Sequence, residues 1–430
     1  MGRIEKVIAM RRVKVRIVSN CLVSVSLPIL FFVTLFCLCQ SACSQEATIK
    51  AGNQPSLMLC QAQFKKVKGD DGQERPVPGA AKLIILSQTP KGWISESIED
   101  PESNVFHKAI HFEDGFLTIG ANAAVLKFWR RSGNKWQAET LWKTSFGGQQ
   151  DRLRDIEIAD VTGDGNDDLV IATHDQGIVA VLQKINGKWD VNELNRTPQI
   201  FVHEIEIGDV NGDGVKEHFS TPSAPNKVDG TPQPGTILMF RYNGKTFDRS
   251  AVEELPKRHV KEILVADVVG SGTPDLFAAL EAEMTKVGGK QQVVDMVKIK
   301  RYHYENGRFA ESIIADLPDV FCRFLTAGDV DGDGSIDIVA SAFKSGIWLI
   351  RKDNDGWHKE LIDDDSSGFE HATIIADLNG DGLSEIYVAA DDQGAVRKYT
   401  WDGKRFQREE IFKLPEGNIT FNITVLPPMN

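Results

Sequence analysis

The chain has 430 residues, 41% of them hydrophobic and 26% charged, a composition that excludes collagen-like and disordered classes and allows a large core. Its 61 acidic and 49 basic side chains give a formal charge of -12, which argues against nucleic acid as a partner. The length suits two or three domains or one large all-β unit.

Arg3, Lys6, Arg11, Arg12, Lys14 and Arg16 precede an uncharged apolar run over residues 21–39, and a small polar stretch follows at 40–45. A basic start, an apolar middle and a small-residue exit describe an export signal. The run is also long enough to span a bilayer, and Cys43 after Ser41 and Ala42 stands where a bacterial lipoprotein is cleaved and acylated. Residues 1–45 are read as an export signal or a membrane or lipid anchor. Cleavage with secretion, lipidation at Cys43 and retention would each export the remainder, with this segment as its membrane contact. Cys60 and Cys322 lie in apolar, strand-like surroundings and read as buried small hydrophobes.

Beyond the leader, one pattern recurs: RDIEIADVTGDGNDDLVIA from Arg154, HEIEIGDVNGDGVKEHFS from His203, KEILVADVVGSGTPDLFAA from Lys261, RFLTAGDVDGDGSIDIVAS from Arg323 and HATIIADLNGDGLSEIYVA from His371. Each joins a short apolar strand, an acidic glycine-containing loop and a second apolar strand. A third strand and a turn follow, as at Asn186-Gly187, Asn243-Gly244, Asn306-Gly307, Asp355-Gly356 and Asp402-Gly403, all strong hairpin signals. A large aromatic comes next: Trp189, Phe247, Phe309, Trp357 and Phe406, with Trp136 and Trp93 in the same place upstream. Seven such units, spaced by about 43 to 62 residues, predict an all-β fold, a seven-bladed β-propeller of four-stranded blades, with six or eight blades as the alternatives.

One propeller then covers residues 55–427. Clear repeats run over 154–200, 203–253, 261–315, 323–363 and 371–412, with a degenerate blade at 105–145. The closing blade combines 56–98 with a C-terminal strand in 417–427, sealing both edges. Residues 220–235 read as a surface loop and 282–292 as an extended hairpin.

The acidic loops carry oxygen ligands at positions 1, 3, 5 and 9. These are Asp160, Thr162, Asp164 and Asp168; Asp209, Asn211, Asp213 and Glu217; Asp329, Asp331, Asp333 and Asp337; and Asp377, Asn379, Asp381 and Glu385. Glycine at position 6 permits the sharp turn, and a backbone carbonyl at position 7 would complete a shell suited to Ca²⁺. About four Ca²⁺ sites are expected. EF-hands are excluded because position 12 holds Ile171, Ser220, Ala340 and Val388 in place of glutamate. In the third repeat Val269 and Ser271 separate Asp267 from Asp275, and that loop is expected to be empty or weak.

The D-x-[DN]-x-D-G-x-x-[DE] loop between two strands resembles the FG-GAP (VCBS-type) repeat of integrin α-chain propellers and many exported bacterial proteins. The resemblance spans roughly 105–410 and implies one Ca²⁺ per intact loop. Members of that family include adhesion modules, lectin-like binders and the propellers of sugar lyases, so the fold alone does not set the activity.

Six residues before each loop's first aspartate stand Arg154, His203, Lys261, Arg323 and His371, with His107 as the counterpart in the degenerate blade. Innermost strands would bring these to a ring around the axis, a candidate site for anionic or carbonyl-bearing ligands. Its histidines are also candidates for a further transition metal. Ala159, Gly208, Ala266, Gly328 and Ala376, one place before each loop, read as small residues that let strands crowd.

The sequence contains no Gly-x-Ser-x-Gly, HExxH, Walker or dinucleotide fingerprint. It therefore suggests an exported, monomeric, calcium-binding module for a glycan, sugar or protein ligand at the cell surface. The alternative is a carbohydrate-active lyase or dehydratase working at the axial ring, similar in kind to aldos-2-ulose dehydratase.

Overall fold

The computed structural model describes residues 54–69, 71–148, 151–225 and 233–429; the segment 1–45 expected to serve export and residues 226–232 of the long insertion lie outside these. The described strands form seven four-stranded antiparallel sheets and two separate hairpins. In chain order, blade 1 is Ala109–Phe112, Gly115–Ile119, Ala124–Ser132 and Lys135–Thr144. Blade 2 is Leu153–Ala159, Asp168–Thr173, Val179–Ile185 and Lys188–Asn195. Blades 3 to 6 begin with Phe201–Gly208, Val260–Ala266, Cys322–Gly328 and Thr373–Ala376 as their innermost strands.

Blade 7 closes the ring. Its innermost strand is Ile419–Leu426, which pairs antiparallel with Ser56–Ala62 through Ser56↔Leu426 and Leu59↔Ile423. Ala81–Thr89 and Gly92–Asp100 complete it.

Burial grades outward along each blade and explains the sequence pattern. Second strands such as Asp168–Thr173 and Asp337–Ala342 are buried at every residue, so they read as unbroken apolar runs. Fourth strands such as Lys188–Asn195 alternate toward exposure. The principal cores lie between blades. Leu57 and Leu59 face Tyr387 and Val396 of blade 6, while Met58 and Cys60 on the opposite face meet Phe116 and Trp129 of blade 1. Cys60 and Cys322 are free thiols inside these interfaces.

The aromatics that follow the turns serve the same interfaces. Trp93 meets Tyr387 edge-on, with ring centroids 6.1 Å apart, and Trp357 meets Phe277 likewise at 6.1 Å. Asn186-Gly187 and Asn306-Gly307 take positive φ at both residues, as two-residue hairpin turns require. A β-carbon at Gly328 would lie 2.7 Å from Ile375 of the next blade, so adjacent inner strands do crowd there. Glu283–Val287 and Lys290–Asp295 form a hairpin turned by Gly288-Gly289.

Candidate functional site

In blades 2 to 6 the innermost strand starts at one face of the ring and ends in its acidic loop at the other. The candidate residues therefore divide into two sites.

The loops share one backbone. The position 1 carboxylate accepts N–H bonds from the glycines at positions 4 and 6: Asp160 from Gly163 at 2.6 Å and Gly165 at 2.8 Å, and Asp209 from Gly212 at 2.8 Å and Gly214 at 2.7 Å. Asp329 takes Gly332 at 2.7 Å and Gly334 at 2.9 Å; Asp377 takes Gly380 at 2.7 Å and Gly382 at 2.8 Å. These glycines have φ between 72° and 88°, a region that other residues enter at a cost. Position 4 glycine is thus part of the motif.

The loop of blade 5 places the most carboxylates at ligand positions. Ligand oxygens of Asp329, Asp331 and Asp333 lie within 4.8 Å of one another, a set that could hold a metal ion. Asp337, buried behind them, has Oδ2 without a hydrogen-bond partner. Burial, with Asp331 and Asp333 nearby, pushes its carboxyl up to about 7 even with Arg351 opposite. Burial raises Glu217 to about 7 too, and Asp168 and Glu385 shift in the same direction. A hard cation would remove this penalty, so the donor set fits Ca²⁺.

Blade 4 shows the contrast. Asp275 already meets Arg301 Nε at 2.5 Å and His303 Nδ1 at 2.8 Å. Val269 and Ser271 also leave positions 3 and 5 of this loop without a carboxylate or amide ligand.

At the opposite face, β-bulges shape the site. Register shifts fall between Leu153 and Asp155, Val202 and Ile205, Val260 and Glu262, and Cys322 and Phe324. Arg154, Lys261 and Arg323 are the extra residues, and His203 lies within its bulge. A bulge re-aims its side chain, here toward the channel mouth.

The mouth holds carboxylates as well as cations. Arg323 Nη1 lies 3.2 Å from Glu370 Oε1, and its Nε lies 3.5 Å from Glu281 Oε1. Lys261 Nζ is 3.3 Å from Glu281, and Arg154 Nη2 is 3.5 Å from Glu370. Burial and neighbouring Arg323 lower the Lys261 ammonium to about 8 against the pull of Glu281. Burial opposes charge on Glu281, yet Lys261, His259 and Arg323 draw it down to about 2. His203 is kept neutral by burial, reinforced by Lys261, His174 and Arg154. Its Nε2 has no partner, and its ring meets His174 edge-on at 5.0 Å. His174 in turn stacks on Phe201 at 3.8 Å.

His107 sits at the same end, bonded through Nδ1 to the Leu153 carbonyl at 2.7 Å and packed against Phe421. His371 does not join this set. With φ of 58° it turns inward, pairing Nε2 with Ser366 Oγ at 2.8 Å and Nδ1 with the Ala342 carbonyl at 2.7 Å. Glu370 stands beside Arg154 and Arg323 in its stead, and His174 supplies another imidazole. No three of these histidines converge as metal ligands among the described residues.

Below the mouth lies a tier of carboxylates. Asp155 Oδ2 accepts the Ile205 N–H at 2.7 Å, Glu206 the Val265 N–H at 3.3 Å and Glu262 the Leu325 N–H at 2.8 Å. Each clasps the next blade's innermost strand. Lys108 pairs with Asp155 at 2.8 Å and also with Glu157. Burial and nearby Glu157 raise Glu206 to about 8.

Comparison with known proteins agrees with this architecture. A family profile described as FG-GAP-like repeat matches residues 160–220. No curated protein matches the sequence significantly. Among solved structures, a putative 6-phosphogluconolactonase from Bacteroides uniformis has TM-score 0.55 at 12% identity, over 87% of this chain and 100% of that one. The periplasmic gluconolactonase of Pseudomonas aeruginosa gives 0.54 at 12%, over 87% and 99%. A protein from Lactobacillus plantarum gives 0.54 at 10%, also over 87% and 99%. At such identities the likeness is one of fold. No helix among the described residues is long and apolar enough to cross a membrane. The chain is a seven-bladed β-propeller bearing an FG-GAP-like repeat.

Proposed function

We propose that the chain is an exported, calcium-stabilised propeller that binds a glycan or sugar at its channel mouth, as a binding or scaffold module at the cell surface. The observation that carries this reading is the mouth itself. Aromatic faces at Phe201 and Phe369, the latter 4.3 Å from the Arg323 guanidinium carbon, border a floor of mixed hydrogen-bond donors and acceptors. Apolar faces beside convergent polar groups are what a sugar ring requires. The orphaned Asp337 oxygen and its aspartate neighbours support calcium at the other face. The basic and apolar leader supports export.

The test is binding of the calcium-loaded full chain to an array of neutral and acidic oligosaccharides. Binding is expected, and His203→Ala should abolish it without unfolding the ring. An array with no bound oligosaccharide, beside capture of a protein ligand, would overturn the reading.

A second reading is favoured by Lys261, whose ammonium is lowered to about 8 beside the neutral His203. As the neutral amine, such a group can take the proton α to a sugar carbonyl and pass it to the departing β-hydroxyl, which leaves as water as the carbon–carbon double bond forms. Formation of an unsaturated sugar product, lost in Lys261→Gln, would distinguish this lyase chemistry from binding alone.

A further inference from the structure

Buried polar atoms in folded proteins nearly always find partners, so a local concentration of unmet ones points to something that meets them. The mouth holds such a concentration. Arg152 Nε, His203 Nε2, Arg323 Nε and Glu281 Oε1 are buried without a hydrogen bond. Arg323 and Glu281 face each other at 3.5 Å, yet their pairing does not close into a hydrogen bond. His203, Glu281, Arg323 and Glu370 are each more than nine-tenths buried, whereas Arg154, His174 and Phe201 form a half-buried rim above them.

The unmet atoms are of both kinds. Arg152 and Arg323 have N–H donors to give, and Glu281 has an acceptor oxygen held only by long ion pairs, 3.3 Å to Lys261 and 3.5 Å to Arg323. A simple anion satisfies the first and repels the second; a sugar's hydroxyls, which both donate and accept, meet both kinds. Charge narrows the choice. Arg152, Arg154, Lys261 and Arg323 face Asp175, Glu281 and Glu370, and the neighbouring histidines are neutral. One positive charge is in excess, which a monoanion would balance in this poorly hydrated place.

We infer that the ligand of this mouth is a sugar acid, a ring or chain bearing one carboxylate among vicinal hydroxyls. Its carboxylate lies among Arg154, Lys261 and the unmet N–H of Arg323, where charged donors form the stronger bonds. Its hydroxyls donate to Glu281 and Glu370. Phe201 and Phe369 cover the ring's C–H face.

This rests on the sugar-binding reading above, and the experiment separates the two. The calcium-loaded full chain is titrated calorimetrically with glucuronate, galacturonate, glucose, galactose and inorganic phosphate. At least one acid should bind about tenfold or more tighter than its neutral counterpart and weaken as sodium chloride rises. Arg154→Gln should erase most of that preference by weakening the acid about tenfold, more than it weakens the neutral sugar. Arg154 suits the test because its contacts are loose, 3.5 Å to Glu370 and 5.8 Å to Phe421, so the fold should survive. The salt dependence needs no variant. Equal affinity for acid and neutral sugars would overturn the sugar-acid assignment alone. Phosphate binding as tight as the acid's would also overturn it, marking a general anion site. Absence of binding to every sugar would overturn both readings.

Discussion

At the residue scale, the acidic loops pair a half-buried aspartate that knits the turn with a buried carboxylate that cannot easily ionise alone. Asp329 and Asp337 fill these roles in blade 5. Asp329→Ala should remove that ion and cost about 2–3 kcal/mol at saturating calcium, read as a lower Tm that chelator no longer changes. Proton linkage gives a second expectation. Glu217 and Asp337 titrate near 7 without an ion, so the fold holds protons that the unfolded chain releases near 4. Chelator-treated protein should therefore lose stability as pH rises from about 5 to 8, with Glu206 extending the window upward. Calcium should bind more weakly at pH 6 than at pH 8 and release protons in doing so. A pH-independent affinity would contradict the assignment of these carboxylates as ligands.

At the element scale, sequence reading succeeded where the repeat itself was the signal. Hairpin turns, the aromatic that follows them and the ligand spacing all recur in register, so the strands and loops were legible. The small residue before each loop was legible for the same reason. Gly328→Val should drive a side chain into Ile375 and destabilise by about 1–3 kcal/mol, whereas Ala376→Gly at the same place in blade 6 should cost less. The mouth was only half legible. A β-bulge has no residue signature, so nothing in the sequence announced that Arg154, Lys261 and Arg323 would be extra residues. His371 matched its counterparts by spacing, but a left-handed backbone turned it away and brought Glu370 forward. His174 and Glu281 follow second strands, and their importance emerges only when antiparallel pairing sets Thr173 beside Leu153 and Leu280 beside Val260.

At the scale of the whole molecule, the ring has a division of labour between its two faces, with the loops at one and the polar mouth at the other. The interblade cores and the closing pair, Ser56–Ala62 with Ile419–Leu426, tie these faces into one unit. Removing residues 419–430 would strip the innermost strand from blade 7 and expose an edge beside Leu57 and Leu59. That truncation should broaden the thermal transition and promote association, measured by calorimetry and light scattering; an unchanged sharp, monomeric melt would contradict closure as a source of stability. The most direct test of the account is long-wavelength anomalous diffraction from calcium-grown crystals. It predicts peaks inside the loops beginning at Asp160, Asp209, Asp329 and Asp377 and none at Asp267, where Val269 and Ser271 replace the ligands at positions 3 and 5. Four empty acidic loops, or an equal peak at Asp267, would contradict it.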